Sequence, residues 1–227
     1  TATDITVYAK WAVKTYTATW NTGTGYTITV KRTSSPNGGA ASGNLNSGDK
    51  VYYGDVLSVT YTANTGYTIN TKGSTSITVT RNVTSSDIYA TASVNDYTAT
   101  WNAGTNCSIV VKRTSSPLKS AATGELKSGA SVYYGDVLSV TYTANTGHSI
   151  SSKGSTSITV TGNVTKDHIY ATASANSYTY NIVYKSSNGT NLGSSTATYK
   201  YGTTNTITAP AKSGYDTPGS QSVKWDS

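Results

Sequence analysis

The residues able to do chemistry are few. Among 227 residues stand ten acids, two histidines and one cysteine. His148 and His168 are the types that act as general acids or bases, and Cys107 is a potential nucleophile. All three lie in the second of two nearly identical stretches. The first stretch has Tyr67, Asp87 and Tyr26 at the matching positions. Chemistry confined to one copy of a repeat needs a base or ligand beside it, and the repeated pattern supplies none. Drift at surface positions accounts for the histidines. Alternation puts Cys107 inward, where a thiol is a small inert hydrophobe. A lone cysteine makes no internal disulfide, and so poor a cysteine content suits any redox compartment. Asp49, Asp55 and Asp87 are too far apart for a loop-type metal site, and calcium-loop motifs are absent. Asp55 and Asp136 each follow a glycine and open a strand, as turn-capping carboxylates do. The expectation is a protein that is not an enzyme and uses no metal or other cofactor.

Two further chemistries have candidate residues. A Lys–Asn isopeptide bond needs a buried lysine, an amide or acid acceptor and a neighbouring carboxylic acid. Lys31 with Asp55 is the candidate pair; the only glutamate is Glu125, and Asn44 takes its place in the first copy. Sugar binding needs exposed aromatic rings. Tyr52-Tyr53 and Tyr133-Tyr134 put adjacent rings on opposite sides of a strand, so one of each pair should face solvent. Two such sites would act by avidity. Set against this, the chain has 19 Tyr and no Phe, so Tyr also stands wherever a strand packs an aromatic ring. N-x-Thr sequons stand at Asn82, Asn163 and Asn188.

The elements that would position these groups are set by a repeat. "VYYGDVLSVTYTANTG" occurs at Val51 to Gly66 and again at Val132 to Gly147. Shifted by 81, 58 of 81 positions are identical, the mark of a duplicated folding unit. The shift gives four segments: 1–14, the closing strand of a preceding repeat; 15–95, module one; 96–176, module two; and 177–227, an incomplete module of different sequence. Inside module one the period is two. Tyr26, Ile28 and Val30 alternate with Thr27, Thr29 and Lys31. Leu57, Val59, Tyr61 and Ala63 alternate with Ser58, Thr60 and Thr62. This predicts sheets with one wet face and little helix, since no window shows apolar spacing near 3.6. Asn21-Thr-Gly23 and Asn64-Thr-Gly66 mark turns. No apolar run is long enough to cross a membrane as a helix. Linkers at Val94-Asn95-Asp96 and Ala175-Asn176-Ser177 are short enough to restrict bending, which suggests an elongated, semi-rigid array.

Charge narrows the partners. The formal net charge is +7, and only 12% of residues are charged. A basic chain attracts acidic partners such as mucin, teichoic acid or nucleic acid. The 17 Lys and Arg are spread out, however, with adjacent pairs only at Lys31-Arg32 and Lys112-Arg113. Nucleic-acid footprints are clustered, so nucleic acid is not expected.

"TDITVYAKW" at Thr3 to Trp11 resembles the closing strand of the InlB B-repeat (Listeria–Bacteroides repeat) family. The two full units are similar to its divergent branch through Gly54-Asp55 to Ala63, Gly66-Tyr67 and Ile88 to Ala92. The matching residues in the second are Gly135-Asp136, Ala144, Gly147 and Ile169 to Ala173. They depart from it at His148 and in lacking a "GW" after the "GY". The third segment resembles MucBP-like modules through its spaced tyrosines and "YGTTNTITAPAKSGY". The resemblance implies small β-grasp-like or β-sandwich modules in an extracellular, secreted or wall-attached bacterial protein of Gram-positive type. It carries no shared catalytic residues. The expected role is a stalk or spacer of a large adhesin, working as a monomer without membrane insertion. The alternative is a set of modules that bind host or plant glycan or mucin, with Tyr52, Tyr53, Tyr133 and Tyr134 as contacts.

Overall fold

Alternating Val, Ile, Leu and Tyr against Thr and Ser favours strands, because β-branched and aromatic side chains fit a pleated, half-buried surface. The computed structural model describes residues 3–211, 213, 214, 216 and 219–226, and all their regular structure is β-strand. Lys212 and Tyr215 of the MucBP-like motif fall outside the described residues, as do Thr1 and Ala2. The chain divides into two compact units, residues 1–96 and 97–227.

The first unit contains β1 (Thr15–Ala18), β2 (Tyr26–Ser34), β3 (Gly43–Leu45), β4 (Asp49–Tyr52), β5 (Val56–Ala63), β6 (Tyr67–Lys72), β7 (Ser76–Thr78) and β8 (Ala90–Val94). A four-stranded sheet has the order β3-β2-β5-β7; β1 pairs with β4, and β6 with β8. Each of these strand pairings is antiparallel. The apolar faces close one core. Ala18 of β1, Val51 of β4 and Val83 meet Val30, Leu57, Val59 and Val79, with Ile88 fully buried among them. Thr27, Thr29, Lys31 and Thr60 stay exposed, as the alternation requires.

Residues 3–14 form no strand. Ile5, Val7, Tyr8 and Trp11 are each 85% exposed or more. At the 81-residue shift this stretch matches Thr84 to Asn95, which includes β8, and β8 is a strand because β6 satisfies its backbone groups. Residues 3–13 have no such ladder among the described residues, so their strand-like pattern goes unused. Pairing begins at Lys14, whose carbonyl accepts from Tyr53 N at 3.0 Å.

The second unit repeats the plan with β9 (Asp96–Ala99), β10 (Cys107–Ser115), β11 (Gly124–Leu126), β12 (Ala130–Tyr133), β13 (Val137–Ala144), β14 (His148–Lys153), β15 (Ser157–Thr159) and β16 (Ala171–Ala175). Its register is the same: Val111 faces Val140 as Val30 faces Val59. Its core holds Ala99, Val111, Val132, Leu138, Val140 and Ile169. This unit continues through β17 (Ser177–Lys185), β18 (Asn191–Lys200), β19 (Thr204–Ile207) and β20 (Gln221–Lys224), paired as two hairpins. Trp225 joins those hairpins: its ring stacks on Tyr199 at 4.5 Å and lies 4.2 Å from Tyr180. Tyr201 ties the segment to the repeat, donating its N–H to Asn176 O and standing edge-on to His148 at 5.7 Å.

Candidate functional site

The most concentrated chemistry is a buried ion pair present once per repeat. In β2 the inward series Tyr26, Ile28, Val30 continues to Arg32, which is buried. A bulge follows at once: Arg32 faces Leu57 but Ser34 faces Val56, so Thr33 is the extra residue. Bulges bend a strand and re-aim side chains. Arg32 Nε donates to Asp55 Oδ2 at 2.8 Å, and Nη2 donates to Lys50 O at 2.6 Å. The Asp55 carboxylate is fully buried and also accepts Tyr52 N at 3.0 Å. The second repeat copies this: Arg113 Nε to Asp136 Oδ2 at 2.7 Å, Nη2 to Ser131 O at 2.5 Å, and Tyr133 N to Asp136 at 3.0 Å. The turn-capping role expected for Asp55 and Asp136 is present, and a buried guanidinium is added to it. A buried pair of this kind neutralises both charges, and desolvation offsets much of its net contribution to stability.

The pair also fixes the fate of the lysine candidate. Lys31 is one residue from Arg32 and therefore on the opposite, exposed face, opposite Asn44 of β3. In the second repeat Lys112 stands opposite Glu125, again exposed. Neither lysine is buried beside an acid, so the geometry of an isopeptide bond between Lys31 and Asp55 is not met. The Asp55 carboxylate is taken by Arg32.

The four candidate tyrosines do not behave alike. Tyr52 and Tyr133 are half-buried covers of the ion pairs. Arg32 lies 6.0 Å from the Tyr52 ring centre, and Tyr133 has Arg113 at 5.6 Å and Lys119 at 5.4 Å. Tyr53 is 47% exposed, whereas Tyr134 is half-buried. Tyr53 lines an open cleft of about 470 Å³ with Trp11, Ala12, Val13, Lys14 and Asn37. Asn37 Nδ2 donates to Tyr53 O at 2.9 Å. At the 81-residue shift Trp11 matches Ala92, Lys14 matches Asn95 and Asn37 matches Leu118. The two equivalent aromatic sites expected from the repeat are therefore not equivalent: the cleft's lining occurs once. Elsewhere Tyr61 and Tyr142 use what Phe lacks. Burial pushes their hydroxyls up in pKa, and each donates to a backbone carbonyl, Ser74 O at 3.0 Å and Ser155 O at 2.8 Å.

Both histidines have structural partners. In the first repeat Gly25 sits at φ +84°, and a Cβ there would lie 2.3 Å from the Tyr67 ring. The second repeat has Asn106 at φ 55° and His148 in place of Tyr67. Asn tolerates this left-handed backbone, and the smaller ring leaves room for its side chain. His148 Nδ1 contacts Thr146 O at 2.9 Å. His168 likewise replaces Asp87 in a turn: Asp87 Oδ2 accepts Thr84 N at 3.0 Å, and His168 Nδ1 accepts Thr165 N at 3.1 Å. Asp87 also takes a two-bond ion pair from Arg81, at 2.9 and 2.7 Å. Where the acid becomes His168 the arginine has become Gly162. Cys107 is buried against Ala171 and Ala173. Among the described residues no three His, Cys, Asp or Glu side chains cluster as a metal site, and neither histidine lines the Tyr53 cleft or the 450 Å³ cleft beside Tyr170.

Family models, curated proteins and solved structures yield no match to this chain.

The turn at Asp87 gives a pH dependence confined to the first repeat. The Arg81 guanidinium, with the Thr84 N–H, holds the Asp87 carboxyl down from its ordinary 3.8 to about 2. Its folded pKa is below its unfolded one, so its contribution is fully present above pH 3.8 and is lost as pH falls toward 2. Arg81→Ala is expected to move the Asp87 carboxyl titration, read by carbon NMR, back up toward the ordinary value. Titration near 3.8 in the unsubstituted chain would contradict this assignment.

Proposed function

We propose that the chain is a structural spacer: tandem β modules of a secreted or surface-attached bacterial protein, holding another part of that protein at a distance. One observation carries the reading. Each repeat closes its own core and holds its own buried Arg–Asp pair, and two sets of neighbouring residues change together between copies, Gly25/Tyr67 to Asn106/His148 and Arg81/Asp87 to Gly162/His168. What the duplication retains is the architecture of a module. The resemblance to InlB B-repeats and MucBP-like modules supports the extracellular setting. The Thr-rich wet face keeps the strands solvated.

A spacer must keep its ends apart. In small-angle scattering the chain is expected to be a monomer with a radius of gyration well above the roughly 17 Å of a globule of this length. A value near that of a globule would overturn the reading.

A second reading, binding to glycan or mucin, is favoured by the cleft where Trp11 and Tyr53 present exposed rings beside Lys14 and Asn37. Aromatic faces stack on the apolar faces of sugar rings, and the amide and ammonium offer polar contacts. On a glycan array this reading expects hits that vanish in Trp11→Ala and Tyr53→Ala and persist in Tyr134→Ala. An array without hits leaves the spacer alone.

A further inference from the structure

We infer that the contact between β1 and Asn82–Val83 is a shear clamp against tension, built once into each repeat. The inference rests on the spacer reading, because only a chain held at both ends carries such a load.

β1 is bonded on both edges. On one it pairs with β4, antiparallel. On the other, Ala18 bridges Val83 in parallel. Thr19 N donates to Val83 O at 2.8 Å, Val83 N donates to Thr17 O at 3.0 Å, and Thr17 N donates to Asn82 Oδ1 at 3.1 Å. The second repeat has the same three bonds. Thr100 N donates to Val164 O at 2.8 Å, Val164 N to Thr98 O at 3.0 Å, and Thr98 N to Asn163 Oδ1 at 3.0 Å. Ala18, Val83, Ala99 and Val164 are all buried, so water does not reach the inner side of the bridge.

Direction makes this contact mechanical. Tension enters a repeat at the start of β1 and leaves through β8, downstream of Val83. Two parallel segments pulled from opposite ends slide along each other, and their cross-bonds must break together. A hairpin pulled from its open end loses its bonds one at a time. Behind Val83 the turn at Thr84 to Asp87 and the fully buried Ile88 anchor the loaded segment in the core. The sequons acquire a role here without any glycan. Asn82 and Asn163 supply the acceptor, Val83 and Val164 fill the core, and Thr84 and Thr165 open the turn. No comparable function attaches to Asn188, whose side chain bonds within its own hairpin loop to Thr190 N.

The test is constant-force unfolding of the full chain held by handles at its two termini. Each repeat should open in one step of about 250–290 Å, the extended length of some 80 residues. Asn82→Ala removes one exposed bond of the clamp. It is expected to raise the unfolding rate under load of one of the two long steps by roughly three- to tenfold, the worth of one hydrogen bond. Asn82→Ala with Asn163→Ala should speed both, and Asn82→Asp, which keeps an acceptor, should restore most of the lifetime. Thr33→Val removes an equally exposed bond, Thr33 Oγ1 to Val56 O at 3.0 Å, away from the load path, and should leave the rate unchanged. Equal rates in Asn82→Ala and Thr33→Val would overturn the clamp, as would repeats that extend without a resolved step. The outcome is separable from scattering. A compact particle with Asn82-sensitive steps removes the spacer and keeps the clamp. An extended one with Asn82-insensitive steps does the reverse.

Discussion

Arg32→Ala is expected to destabilise the first repeat by about 3–5 kcal/mol, because it leaves the Asp55 carboxylate buried and uncompensated. Asp55 is fully buried, and its Oδ1 has no hydrogen-bond partner even with Arg32 in place. The remaining oxygen would keep only the Tyr52 N–H. A module of some 80 residues has about 4–12 kcal/mol of total stability, so this one change removes a large share of it. Denaturant unfolding is the measurement, with Trp20 in the core of the first repeat as the reporter. The control is the pair Arg32→Met with Asp55→Leu, which removes both charges and should cost far less. An Arg32→Ala transition within 1 kcal/mol of the unsubstituted chain, on the order of an exposed pair, would show that the pair is not buried as described.

Leu57→Ala should cost the first repeat about 2–5 kcal/mol, the sum of lost apolar transfer and the cavity left behind. Leu57 is fully buried among Val30, Val59 and Val79, and Leu138 holds the same place in the second core. Leu138→Ala should therefore lower the second unit by a similar amount. Because the two leucines share no core cluster, their effects should fall on separate transitions and add in the double variant. Non-additive effects on a single common transition would contradict two closed cores.

Much of this was legible in the sequence, for a physical reason: β-structure writes itself as alternation. Val30, Leu57 and Val59 are inward where period two puts them, and the alternating Thr27, Thr29 and Thr60 face solvent. The ion pair was harder to see because a charged residue reads as an end to an apolar series. Arg32 in fact extends that series by one step, and its recurrence as Arg113, with Asp55 as Asp136, was the signal available. Lys31 and Asp55 are an isopeptide pair by residue type alone, yet Lys31 follows inward Val30 in its strand and so points to the opposite, exposed face. The 81-residue shift puts a closing strand at residues 1–14, whereas residues 3–13 pair with nothing among the described residues; a strand needs a partner that its own sequence does not specify. The Tyr180–Tyr199–Trp225 cluster depends on two hairpins meeting, which no local pattern encodes. The clamp at Asn82 was masked by its likeness to a glycosylation sequon.

Hydrogen exchange of the full chain with Arg32→Ala, read strand by strand against the unsubstituted chain, tests most directly whether each copy is a self-contained module. Amides of β2 and β5 should lose protection by several orders of magnitude, while those of β10 and β13 keep theirs. Loss of protection spreading equally through both repeats would mean one shared cooperative unit, and the modular account would fall with it.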